Sequence, residues 1–473
     1  MESIPGKHLL AELGLAPPDL PSDILNEAHH MTDDLVTGPH GEVYLYVAGL
    51  ISANIFRCDV ADPLHISPCQ LVVDTRKVRN FAGTDDLKIL PNGNLIATYM
   101  GSKGLTTPGG LVEFTPDGTV VAEYAAAKAG GPVRYRPGVT GQMDTGLLAH
   151  PHGIDLRPDL DLLITSDYAD PLSLATSTPT DQHQDLGTTV RMWQLSNLAG
   201  GPQKIIQMPD GPRVEPNPIH EEPEGLMQVV LTRQPHHKGV FVASMCGGAI
   251  FYTPDITVPH PPFREVSDFG PCTGASVFIL TSDDRFLIVP VAGVQSPGDP
   301  VFERDYAGEH TRRVAVLDLQ ALLQARHEVQ CGPPTVIQDS QGYTASFMGP
   351  NNGAADCPVL AGVVHVDSQK NFATHGGPHF VVLDQHERRM AFSNYFVDLN
   401  SFGLPGTGSG GDDKICMATL LSDGQVALDG RFRDELTDTV CVDFDRPTSY
   451  HWPNRGTTGH AKPHAMIFIH RNH

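Results

Sequence analysis

Apolar and polar residues alternate in short bursts along this chain instead of recurring at helical spacing. From Ala149 to Pro171 the sequence AHPHGIDLRPDLDLLITSDYADP puts His150 and His152 first, then Ile154 and Leu156 on alternate positions. Arg157-Pro158-Asp159 supply turn chemistry and Leu162, Leu163 and Ile164 the return strand, so the stretch predicts a half-buried β-hairpin with a histidine at its mouth. The arrangement recurs at Pro378 to Asn394, led by His379 with Val381 and Leu383 alternating, and at Pro463 to Ile469, led by His464 with Met466 and Phe468 beyond it.

Four further stretches repeat the strand, turn and strand, the first two of them without that leading histidine. Two are clear, Asp85 to Met100 and Ser276 to Pro290; two are looser, Ala28 to Gly49 and Glu224 to Ser244. Outer strands follow them, as in Gly110 to Tyr124, folded over Pro116-Asp117-Gly118. Seven up-and-down units of about four strands, none able to bury both faces alone, predict an all-β, seven-bladed β-propeller with four-stranded antiparallel blades. Residues 1–26 read as a lead-in, 27–473 as one propeller domain, and 331–378 as a long insertion.

Composition supports this reading. The 473 residues include 47 Gly and 40 Pro, close to a fifth of the chain, which favours many turns over long helices. No run of about 18 apolar residues is present, and MESIPGKHLLAELG lacks the basic and apolar regions of a secretory signal, so a soluble cytoplasmic protein is expected. The formal charge of −23 argues against nucleic-acid or anionic-membrane partners and leaves a small-molecule substrate, with oligomeric state open. Eight cysteines lie scattered without a CxxC pair, so reduced, mostly buried thiols are expected.

In a propeller the innermost strands all begin at one end of the channel, so their leading residues face one another. His29, His30, His152, His379 and His464 are thus the expected metal ligands, and Asp85 and Glu224 the carboxylates that orient them or move protons. Such imidazoles suit copper, iron or zinc. Neighbouring residues in a strand point to opposite faces, so His29 and His30 can share an ion only where the backbone bends. His40, His236 and His237 read as turn residues, His460, His470 and His473 as surface residues, and His375 as either an outer support of the site or a solvated residue. No GxSxG elbow occurs, and Cys272 reads as structural.

Several blocks resemble the selenium-binding protein family, which includes methanethiol oxidase. Glu27-Ala28-His29-His30 is similar to that family's Glu-Leu-His-His, LISANIFRCDV at Leu50 to Val60 to its LISSRIYVVDV, and LTSDDRFL at Leu280 to Leu287 to its LSLDDRFL. The block GNLIATYMGSKGLTTPGG within Asn92 to Gly110 and Gly376-Gly377-Pro378 are similar too, all in preserved order. The resemblance implies a seven-bladed propeller and a copper-dependent oxidase of a small thiol, with His29, His30 and His464 matching family histidines. Departures are specific: the family's second-blade histidine falls on Asp85, its fourth-blade histidine on Thr232, and its CxxC is replaced by Met31 to Gly38. The expected function is a dioxygen-using, metal-dependent oxidoreductase acting on a small organic molecule. The alternatives are a non-redox metal-dependent lyase or isomerase and a non-enzymatic binding platform.

Overall fold

The computed structural model describes residues 28–50, 52–66, 68–127, 134–135, 148–171, 186–209, 222–245, 247–269, 274–292, 313–324, 329–330, 335–338, 344–347, 359–365, 377–394, 413–452, 459, 461 and 463–469. The chain divides into two compact units, Met1–Gln207 and Met208–His473. Each holds three antiparallel meanders of the kind that form the four-stranded blades of a β-propeller.

In the first unit, blade 1 runs through Ala28–Met31, Val43–Gly49, Ile55–Asp59 and Gln70–Val73, and blade 2 through Phe81–Ile89, Leu95–Ser102, Gly110–Phe114 and Val120–Ala125. Blade 3 runs through Pro151–Arg157, Leu162–Asp167, Thr189–Gln194 and Lys204–Gln207, with Arg134–Tyr135 added in parallel at its edge. In the second unit, blade 4 is Leu226–Leu231, Val240–Ser244, Ala249–Thr253 and Arg264–Asp268, and blade 5 is Ile279–Leu280, Phe286–Val291, Arg313–Asp318 and Leu360–His365. Blade 6 is Phe380–Leu383, Arg389–Ser393, Lys414–Leu420 and Val426–Leu428.

The packing explains why central strands read as unbroken apolar runs. In Leu95–Ser102, Leu95, Ala97 and Tyr99 pack into the core shared with blade 1, while Ile96 packs into the core shared with blade 3. In Phe286–Val291, Leu287, Val289 and Val291 face blade 4, while Phe286 and Ile288 face blade 6. Both faces of a middle blade are buried, each large side chain contributing about 1.5–3 kcal/mol.

Two expectations are corrected. Among the described residues there are six blades, not seven: Pro463 to Ile469 has the leading histidine and the alternation but forms no strand. It lacks the turn and return sequence that make the other six stretches into hairpins, and an unpaired strand has no ladder to stabilise it. Within the expected insertion at 331–378, Leu360–His365 is instead the fourth strand of blade 5; ahead of it lie the short helix Leu319–Gln324 and the hairpin of Thr335–Gln338 with Thr344–Phe347. No helix among the described residues is long and apolar enough to cross a membrane.

The expectation of reduced thiols is also overturned, by the disulfides Cys58–Cys69 and Cys416–Cys441. The first ties blade 1's third strand to the segment leading into its fourth; the second ties Lys414–Leu420 to the segment before Val442–Asp443. With sequence separations of 11 and 25, loop-closure entropy gives each a stabilisation of about 3 kcal/mol. Cys416→Ser/Cys441→Ser and, separately, Cys58→Ser/Cys69→Ser are accordingly each expected to lower the denaturant midpoint of the protein; a midpoint left unchanged by either pair would show that bridge to be silent. Cys246, Cys272, Cys331 and Cys357 lie outside the described residues, as do His375, His460, His470, His473 and residues 1–26.

Candidate metal centre

Three innermost strands of the first unit carry one extra residue each near their start, and each extra residue falls at a chemically active position. In blade 1, Ala28 and Met31 pair with Gly49 and Val47, so three steps on one strand face two on the other across His29-His30. The same slip occurs in blade 2 between Thr84 and Leu87, across Asp85-Asp86, and in blade 3 between Pro151 and Ile154, across His152-Gly153. A β-bulge breaks the strict alternation of side chains, so neighbouring residues can face the same way. This is the bend that the paired histidines require.

The outcome is a convergence of three imidazoles on one carboxylate. His29 Nε2 and His152 Nε2 each lie 3.2 Å from Asp85 Oδ2, and His30 Nε2 lies 3.7 Å from Asp85 Oδ1. The rings of His29 and His30 are 4.7 Å apart, and His152 sits edge-on to His30 at 5.7 Å and to Tyr168 at 4.9 Å. All four groups are buried, at 4% exposure or less. Among the described residues neither Asp85 oxygen makes a hydrogen bond of ordinary geometry, and the ring nitrogens of His29, His30 and His152 are the groups that face this buried anion.

Electrostatics divides the imidazoles. Burial alone would push Asp85 up, but His152, His30 and His29 outweigh it and hold the carboxyl well below the usual carboxylate range. Burial drives His152 down to about 4 despite the attraction of Asp85. Burial also opposes charge on His30, yet Asp85 and then Asp86 outweigh it, and His30 is raised. The two carboxylates thus favour a proton on His30, while burial disfavours one on His152.

These residues fit a metal ion. Ligand atoms of His29, Asp85 and His152 all lie within 4.8 Å of one another. Donors bonded tetrahedrally to a first-row ion at its usual bond lengths stand about 3.3 Å apart, close to the nitrogen-to-oxygen separations here. The set is nitrogen and oxygen without sulfur, which suits iron, zinc and divalent copper.

The other expected ligands belong to the second unit. His379 leads blade 6, its ring 4.7 Å from that of His464, and both are buried. Ser276 Oγ lies 2.8 Å from His379 Nδ1, and Ser393 donates its hydroxyl to the His464 carbonyl at 2.7 Å. Glu224 precedes Leu226–Leu231, buried, its carbonyl accepting from Ser244 Oγ at 2.6 Å and from Gly247 N at 3.3 Å. Reading the sequence missed Asp86 and Ser276, and it missed a group of buried carboxylates, Glu222, Glu265 and Asp268, whose oxygens approach within 4.8 Å of one another. For Asp86 a signal existed, since in a strand whose two faces are both buried a carboxylate next to Asp85 has to find polar partners of its own. His237, expected at a turn, lies between Leu226–Leu231 and Val240–Ser244 and contacts Asp284 at 2.8 Å.

The sheets and the site define a β-propeller protein with a candidate metal centre. No family model matches the sequence, and no curated protein sequence is similar to it. Among solved structures, a hypothetical selenium-binding protein from Sulfolobus tokodaii is similar in fold, with 11% identity and a TM-score of 0.57, covering 85% of this chain and 80% of that one. A periplasmic gluconolactonase from Pseudomonas aeruginosa matches with 12% identity and a TM-score of 0.44, covering 85% and 83%. A Lactobacillus plantarum protein matches with 13% identity and a TM-score of 0.45, covering 88% and 85%.

Proposed function

We propose that this protein is a metal-dependent enzyme whose ion is held by His29, His30, His152 and Asp85, and that it is an oxidoreductase using dioxygen on a small organic molecule. The observation that carries the reading is the convergence of three ring Nε2 atoms on a buried Asp85 carboxylate without conventional hydrogen bonds. Copper, expected from the sequence, remains within the range that this donor set suits, alongside iron and zinc. Bound there, a redox-active ion supplies a centre for dioxygen chemistry, and a redox-inert one supplies a Lewis acid. The chain itself contributes the charge of Asp85, three imidazoles fixed at bulged strands, and a surround that excludes water. Blocks of sequence similar to selenium-binding proteins support a divergent relationship to that family and make small thiols the first substrates to test.

A carboxylate where the resemblance expects a histidine favours a second reading, a lyase or isomerase without a redox step. Metal analysis of freshly purified protein, with oxygen uptake on candidate thiols, separates the readings. Stoichiometric metal with oxygen uptake supports the oxidoreductase. Turnover of a substrate without oxygen, with zinc restoring a metal-depleted sample, supports the second reading, and protein free of metal that binds none when supplied rejects both. The two disulfides favour an oxidising compartment over the cytoplasm expected from the sequence.

A further inference from the structure

The bulge in blade 2 presents two acidic side chains to the same histidine. Asp85 faces His30 Nε2, while Asp86 Oδ1 lies 3.7 Å from His30 Nδ1, so the ring is held between two carboxylates. Asp86 is itself fixed from several directions. Its Oδ1 accepts from the backbone N–H of Leu87 at 2.8 Å, and its Oδ2 from that of Ile154 at 3.3 Å. Lys88 Nζ approaches Oδ2 at 3.9 Å and pairs on its other side with Asp33. The Asp86 N–H donates to Thr98 Oγ1 at 2.9 Å, and that hydroxyl donates to the His152 carbonyl at 2.7 Å. Asp86 thus connects the strand carrying Asp85 to the strand carrying His152 while its carboxylate meets His30.

From this geometry we propose that Asp86 is a positioning residue for the metal centre: it keeps the proton of His30 on Nδ1 and so turns the Nε2 lone pair toward the ion. A histidine has one donor and one acceptor nitrogen when neutral, and the partner of one nitrogen decides the role of the other. The assignment rests on the metal reading above and separates two adjacent carboxylates by role, Asp85 as ligand and Asp86 as its outer support. Lys88 and the two backbone N–H groups keep Asp86 oriented, so the ring does not have to supply that order itself.

The test uses the full chain with Asp86→Asn, which keeps the shape, and Asp86→Glu, which keeps the charge. Zinc affinity is measured by chelator competition. In parallel the metal-free protein, labelled with ¹⁵N-histidine, is observed by NMR, with His30 assigned from the spectrum of His30→Gln. Asp86→Asn is expected to weaken zinc binding about 10–100-fold and to shift His30 Nδ1 from a protonated toward an unprotonated resonance, and Asp86→Glu to restore part of both. Unchanged zinc affinity together with an unchanged Nδ1 resonance would overturn the proposal. If wild-type protein binds no zinc but the Nδ1 proton still depends on Asp86, the metal reading fails and the positioning role stands. Should Asp86→Asn not fold, Asp86→Glu decides alone: both readouts identical to wild type despite the longer side chain would count against a geometric role.

Discussion

An Asp85→Ala protein is expected to lose metal affinity by more than about 100-fold, beyond what removal of an outer support costs. All three Nε2 atoms face this one carboxylate, so the change removes a ligand and also the group toward which the others are turned. Its effect on the metal-free fold should be much smaller. Imidazoles left without an anion can lose their protons and remain buried as neutral rings, an escape that a carboxylate lacks at neutral pH. Asp85→His is the informative companion, expected to retain metal, because it supplies the residue that the sequence resemblance places there. Metal content and competition titration check both variants, and an Asp85→Ala protein with wild-type affinity would remove the proposed centre.

The largest loss of stability is expected from Arg191→Met, about 3–5 kcal/mol. Arg191 is wholly buried in blade 3 and clasps Asp167 through Nε at 2.8 and 3.1 Å. It also donates to the carbonyls of Ala126 at 2.9 Å and Leu148 at 2.6 Å. Asp167 in turn accepts the N–H of His150 at 2.9 Å and the hydroxyl of Thr189. Methionine fills similar space but strands a buried carboxylate and two carbonyls at the approach to His152. The chain has two tryptophans, and Trp193 is buried in the same blade. Denaturation followed by fluorescence in a Trp452→Phe background therefore reports on the first unit. Arg76→Ala is the contrast, since Arg76 is 76% exposed in its pair with Asp74 and pairs screened by solvent contribute little.

Much of the fold was readable as sequence because a hairpin is a local object. Ile154 and Leu156, the Pro158 turn and Leu162 to Ile164 announce blade 3's first two strands, which are observed as Pro151–Arg157 and Leu162–Asp167. Pro116-Asp117-Gly118 likewise closes the outer hairpin of blade 2, with Gly118 at positive φ. The blade count was misread because Pro463 to Ile469 shares the leading motif, and a motif does not reveal whether a pairing partner exists. Leu360–His365 was hidden for the opposite reason: its partner Arg313–Asp318 lies across a long excursion that no local pattern bridges.

The histidines at strand heads, the paired His29-His30 and Asp85 could all be picked out from residue type and spacing, since those depend only on chain order. Which of them meet could not. The meeting of His152 with His29, His30 and Asp85 is set by where three bulges fall, and a single extra residue reverses which face a side chain takes. The division of labour between Asp85 and Asp86, the pairing of Cys58 with Cys69 and of Cys416 with Cys441, and the partnership of Ser276 with His379 belong to the same class. Alternation and turns are properties of neighbours in the chain; a site is a property of neighbours in space, and only packing the blades creates those.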